Sequence, residues 1–168
     1  METTTYHLNT GQIIKDGFSY PHDVFGATGD KISQSSHIIC GGVEIETENI
    51  AENCYKTNKQ GYEKVGQTLR PRAYASSLVL NASALLITGG YGENSSEVID
   101  WKRMISTPGP LLPHDIYQHC LVKLDEQNIL LIGIQSLKRG FATMKQNCLF
   151  QGLKVCVYKP AVYLCGAL

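Results

Sequence analysis

Cysteines and histidines are the side chains here best suited to metal or redox chemistry, and the 168 residues hold six and five of them. The tightest groupings are His37-x-x-Cys40 and the adjacent pair His119-Cys120. Recognisable zinc sites use four ligands in paired short spacings. No Cys-x-x-Cys pair exists, so no metal is expected. Cys40 and Cys120 each sit in an apolar, strand-like run, where a free cysteine acts as a small hydrophobe. Cys40 and Cys54 also flank a turn between two expected antiparallel neighbours, close enough for a cross-strand disulfide in an oxidising compartment. Spacing alone assigns no pairing to Cys148, Cys156 and Cys165.

Val24-Phe25-Gly26-Ala27-Thr28-Gly29 has the look of a phosphate-cradling loop. Such a loop needs a preceding strand, a third close glycine and a following helix. Pro21-His22-Asp23 leaves almost no strand, Ile32 holds the third glycine position, and Ser33-Gln34-Ser35-Ser36 is a turn. A glycine-rich turn is the better reading, and no cofactor is expected. There is no nucleophile elbow, no HExxH and no P-loop, so the chain does not read as an enzyme.

Lys plus Arg equals Asp plus Glu, fifteen each. That leaves no basic footprint for nucleic acid and no polybasic membrane anchor. No apolar run approaches the roughly 18 residues of a membrane span, and the first residues carry no signal-like apolar segment. Two sequons, at Asn81 and Asn94, are glycosylation candidates. With the six cysteines they favour an extracellular parent protein, against which the missing signal counts.

The elements that would position these residues repeat along the chain. Leu85-Leu86-Ile87-Thr88-Gly89-Gly90 is an apolar run ended by a diglycine. His37-Ile38-Ile39-Cys40-Gly41-Gly42 has the same form 48 residues upstream. Ile129-Leu130-Leu131-Ile132-Gly133-Ile134 has it 44 residues downstream, with the second glycine lost. Ala161 to Ala167 is a weaker fourth copy. Segments beginning Ala73-Tyr74 and Tyr117-Gln118 precede the second and third runs, so each unit opens with a hairpin. A run apolar on both faces must be covered on both. Glycine at its end permits positive φ and close backbone approach. No segment sustains a helical apolar period.

Apolar run, diglycine, Tyr55 thirteen residues after Gly42 and Tyr62 seven further resemble the Kelch repeat. Leu69-Arg70-Pro71-Arg72-Ala73-Tyr74 and Thr107-Pro108-Gly109-Pro110-Leu111-Leu112-Pro113 resemble that family's approaches between blades. The resemblance implies an all-β, incomplete Kelch-type propeller of four-stranded antiparallel blades. Its segments are a lead at 1–21, blades at 22–66, 67–111 and a degenerate 112–151, and a partial hairpin at 152–168. Gly41, Gly42, Gly89, Gly90 and Gly133 would be its structural glycines. Propellers close with about four to eight blades, so three imply a fragment of a larger ring or self-association that completes one.

The implied function is a scaffold that binds a protein partner through propeller loops. In an up-and-down blade the loop Tyr91 to Ser96 shares a face with Arg70, Arg72, His114 and Asp115. Tyrosine and arginine are enriched at binding hot spots. Asn94 lies on that face and Asn81 on the opposite one. The rivals are an enzyme like galactose oxidase, whose copper ligands do not map onto this chain, a carbohydrate-binding propeller, and a truncated product without function.

Overall fold

The structure, a computed structural model, describes residues 2–7, 12–58, 60–125, 128–135, 146–150 and 153–158. They form strands and no helix. Among the described residues no sheet closes on itself. A two-stranded hairpin comes first, β1 (Glu2–His7) with β2 (Gln12–Ser19). The next sheet runs in chain order through β4 (Thr28–Ser33), β5 (Ser36–Cys40), β7 (Asn53–Asn58) and β8 (Gly61–Gln67). Two short strands, β3 (Val24–Phe25) and β6 (Val43–Glu44), pair beside it. The second four-stranded sheet repeats the plan with β9 (Ser76–Val79), β10 (Ala84–Thr88), β11 (Ser96–Asp100) and β12 (Ile105–Pro108). Both are antiparallel meanders.

The third sheet departs from that plan. β13 (Ile116–Lys123) and β14 (Ile129–Gln135) form the expected hairpin. The strand beside β14 is then β16 (Leu153–Tyr158), parallel to it, with β15 (Gln146–Phe150) outside. The sequence reading set Leu153–Tyr158 against Ala161–Cys165 across Lys159-Pro160. That turn and that partner lie outside the described residues, as does the fourth apolar copy, and the described antiparallel partner of β16 is β15.

The two meanders stack. First strands lie side by side, β4 by β9 and β9 by β13, and the last strands β8 and β12 adjoin. The main core lies between the meanders: Ile38, Cys40, Cys54 and Val65 from one, Leu85, Ile87, Ile99 and Trp101 from the other. Burial of this kind contributes about 1.5–3 kcal/mol for each large apolar side chain. β10 is buried along nearly its whole length while β12 is mostly exposed, which is why the runs before the diglycines are apolar on both faces.

Backbone bonds tie each unit to the next. Gly42 N–H donates to the Arg72 carbonyl at 2.8 Å, and Gly90 N–H to the Ile116 carbonyl at 2.9 Å. Arg72 and Ile116 are 44 residues apart, so one latch occurs twice. The preceding glycines, Gly41 and Gly89, have φ of 66° and 61°. A Cβ on either would collide with the same carbonyl oxygen that its neighbour holds. A second chain of bonds runs past the first strands: Tyr74 N–H donates to the Gly26 carbonyl at 2.6 Å and Gln118 N–H to the Tyr74 carbonyl at 2.9 Å. Gly26, Tyr74 and Gln118 all have positive φ, at 66°, 57° and 51°. Their spacings of 48 and 44 match those of the apolar runs. Side chains add further ties: Thr28 Oγ1 donates to Ser77 Oγ at 2.9 Å, and Asp30 Oδ2 accepts from Val79 N–H at 2.7 Å.

Gly89→Ala forces a left-handed alanine and pushes the Ile116 carbonyl out of its latch. The expected loss is about 2–3 kcal/mol, from left-handed strain and one misplaced hydrogen bond. Urea unfolding midpoints of the variant and the natural chain measure it.

Candidate protein-binding face

One end of the stacked sheets gathers the segments 20–27, 41–52, 68–75, 89–95 and 109–115, which enter the first strands or leave the second. Five of the exposed large apolar side chains stand there: Phe25, Ile45, Leu69, Tyr91 and Leu111. Two edge-on aromatic pairs cross between units. Phe25 and Tyr74 have ring centroids 6.2 Å apart, and Tyr91 and Tyr117 5.9 Å. Gly26 makes room for the Tyr74 ring, since a Cβ there would meet its Cε1 at 2.9 Å. Tyr91 is held by its own backbone, whose N–H donates to the Ala73 carbonyl at 2.9 Å, and Gly92 follows at φ 74°. The turn thus presents the Tyr91 ring 66% exposed.

Arg70 stands at the same end, 65% exposed, with Nη1 3.5 Å from Glu93 Oε1. Such a surface pair contributes little to stability, and its guanidinium stays available. Ser95 Oγ donates to Glu93 Oε2 at 2.9 Å and accepts from Arg72 Nη2 at 2.8 Å. A polar chain therefore runs from the exposed Arg70 inward to Arg72.

Arg72 itself corrects the sequence reading, which set it among the solvent-facing loop residues. It is buried, and its Nε donates to Glu97 Oε1 at 2.6 Å, with side-chain exposures of 2% and 0%. Nη1 donates to the Gly89 carbonyl at 2.5 Å and the Ser95 carbonyl at 3.1 Å. Leu69 N–H donates to Glu97 Oε2 at 2.7 Å. The pair locks the linker between units onto β11. Val24 and Ile116 are also buried, at spacings of 48 and 44 from Arg72. The position is thus a core position, filled here by a paired charge.

Asn94 is half-buried. Its carbonyl accepts from Leu112 N–H at 2.6 Å, and the sequon hydroxyl of Ser96 donates to the Pro110 carbonyl at 2.5 Å. Asn81 is exposed at the far end, its Oδ1 capping Ser83 N–H at 2.9 Å. His114 and Asp115 are half-buried, and His114 is engaged in an interaction of its own. Gly133 lies within β14. Phe25, Tyr74 and Tyr117 were not singled out from sequence. Their signal was present, since each stands at or beside a position repeated at the 48- and 44-residue spacing.

Cys40 and Cys54, directly opposed on β5 and β7, form a disulfide with Cα atoms 4.1 Å apart. Cys120 is also disulfide-bonded, so neither Cys40 nor Cys120 is the free thiol that its apolar run suggested. Among the described residues no cluster of three or more His, Cys, Asp or Glu could hold a metal ion. Nor is any helix among them long and apolar enough to cross a membrane. His119, on β13, is buried, with Nε2 2.7 Å from Thr88 Oγ1. Burial lowers its pKa to about 4. No family model and no curated protein matches the chain.

Two outcomes follow for this end of the fold. Glu97→Leu strands the Arg72 guanidinium and costs about 3–5 kcal/mol, while Arg72→Met with Glu97→Leu recovers most of that loss, both read by urea unfolding. For His119 the folded pKa lies below the unfolded value of about 6.5. Its contribution is therefore complete above pH ~6.5. As the pH falls toward 4 the unfolded chain takes up a proton that the folded chain does not, and stability drops by up to about 1.4 kcal/mol per pH unit. Unfolding at pH 7 and pH 5 should show a smaller drop for His119→Gln than for the natural chain.

Proposed function

We propose that the chain is an arc of a Kelch-type propeller that binds a protein partner at the end carrying Tyr91. The observation that carries this reading is the pair of inter-unit aromatic contacts, Phe25–Tyr74 and Tyr91–Tyr117, beside an exposed arginine. Tyrosine rings fixed by neighbours offer contact area at low entropic cost, and Arg70 adds a directional charged donor. The rings sit on backbone positions pinned by the bonds between units, so the surface is preorganised.

Support for the propeller comes from the repetition. Two meanders stack with first strands together and last strands together, and the same latch recurs at each junction. Radial stacking of four-stranded sheets gives that arrangement. The all-β chain with zero net charge fits a scaffold better than a nucleic-acid binder.

Immobilised natural chain and the variants Tyr91→Ala, Arg70→Ala and Met104→Ala can be compared for retention of extracellular proteins. A partner that binds here is held about thirtyfold more weakly by Tyr91→Ala, the loss of about 2 kcal/mol expected of a hot spot. Met104→Ala, at the far end, leaves retention unchanged. Retention insensitive to both Tyr91→Ala and Arg70→Ala contradicts the assignment.

A further inference from the structure

Asn81 and Asn94 both begin the pattern Asn-x-Ser, the acceptor of N-linked glycans, and the fold treats them differently. Asn81 lies in the turn from β9 to β10, which is closed by Leu80 N–H donating to the Ala84 carbonyl at 2.8 Å. The same closure recurs 44 residues on, where Leu124 N–H donates to the Asn128 carbonyl at 2.9 Å. Asn81 and Ala82 are exposed and Ser83 is half-buried. Asn81 Oδ1 accepts from Ser83 N–H at 2.9 Å and from Ser83 Oγ at 3.3 Å. The amide and the hydroxyl that the pattern requires therefore already stand side by side. Among the described residues Asn81 Nδ2, the atom that would carry the sugar, makes no hydrogen bond.

The second pattern is tied into the junction between units. Asn94 and Ser95 are half-buried, and Ser96 is only 3% exposed. The carbonyls of Asn94, Ser95 and Ser96 accept from the N–H groups of Leu112, Gly89 and Gly109 at 2.6, 2.9 and 2.8 Å. Ser96 Oγ donates to the Pro110 carbonyl, and a Cβ on Gly109 would collide with that same hydroxyl oxygen. Ser96 also pairs with Thr88 between β11 and β10. An enzyme that needs the amide and the hydroxyl together must lift the three residues out of the fold, and here that opens all of these contacts. Across Asn81 to Ser83 the backbone bond to another strand, among the described residues, is Trp101 N–H to the Ser83 carbonyl at 3.1 Å.

We propose that the folded chain accepts an N-linked glycan at Asn81 and that its fold shields Asn94. The donor is an oligosaccharide linked to a lipid pyrophosphate. Asn81 Nδ2 forms a bond to the anomeric carbon, and the bond from that carbon to the pyrophosphate oxygen breaks. The lipid pyrophosphate leaves with the electron pair, and Nδ2 gives one proton to water. The pattern is an acceptor in secreted proteins. Disulfides persist in the same oxidising surroundings, and Cys40, Cys54 and Cys120 are all disulfide-bonded. Asn81 stands at the end opposite Tyr91 and Arg70, the end that also exposes Met104 and Leu124. Its turn follows β9, and the turn carrying Leu124 follows the adjoining β13. A glycan on Asn81 therefore covers apolar surface of the far end and leaves the Tyr91 end open. The acceptor is independent of the partner proposed above.

The folded full chain, incubated with a purified oligosaccharyltransferase and a lipid-pyrophosphate-linked oligosaccharide, tests it by mass spectrometry. A short Asn-x-Ser peptide in the same reaction serves as an internal standard. The expected product carries a single glycan, which peptide mapping places on Asn81. Asn94 is modified at least about tenfold more slowly, as the loss of several hydrogen bonds requires. Asn81→Gln and Ser83→Ala each abolish the product, and Asn94→Gln leaves it unchanged. Urea unfolding midpoints of the three variants, equal to that of the natural chain, show that lost transfer is not lost folding. An unmodified chain beside a modified standard overturns the proposal. So does transfer to Asn94 within tenfold of the rate at Asn81, or transfer that survives Ser83→Ala. Retention of a partner by the glycosylated and unglycosylated chains then reads the Tyr91 end separately.

Discussion

A linker that crosses from the outer strand of one sheet to the first strand of the next carries peptide groups into the interior, and each must find a partner there. In this chain the Arg72 and Ile116 carbonyls find it in the amides of Gly42 and Gly90. The rest of the architecture follows from that contact. The carbonyl can approach only if the preceding residue has no Cβ, which fixes the diglycines. Because the linker is then pinned, the strand that follows it enters at a set place and height. The spacing of units, the covering of both faces of the second strand and the positions of the loop side chains are consequences.

Much of this was legible. The diglycines, the apolar runs before them and their spacing announced repeated hairpins with buried second strands, since a run such as Leu85-Leu86-Ile87-Thr88 has no other comfortable place. The opposition of Cys40 and Cys54 was legible too, because a short excursion between adjacent antiparallel strands returns the chain beside itself. What was not legible has physical reasons. Arg72 reads as a surface charge, because the carboxylate that neutralises it is 25 residues away on a different strand. Tyr74 and Gln118 at positive φ break a propensity rule, and the bond that each makes to the preceding unit helps to hold it there.

The candidate face was half legible. Tyr91 and Arg70 fall in loops and advertise themselves. Phe25, Tyr74 and Tyr117 border strands, where aromatic residues are ordinary, and only the stacking of units turns them toward one another. The third sheet was the least legible part. In the third unit Ile134 stands in place of the second glycine, and among the described residues beyond it the strand order changes, with a parallel neighbour where a meander would place an antiparallel one.

If the latches hold the units as one stack, their amides share the fate of the core. Native-state hydrogen exchange of Gly42, Gly90, Tyr74 and Gln118, compared with Leu85 and Ile87 in β10, tests that directly. The account predicts that all six exchange only with global unfolding, at one common free energy. Linker amides that exchange orders of magnitude faster than those of Leu85 and Ile87, as free loops do, would contradict it.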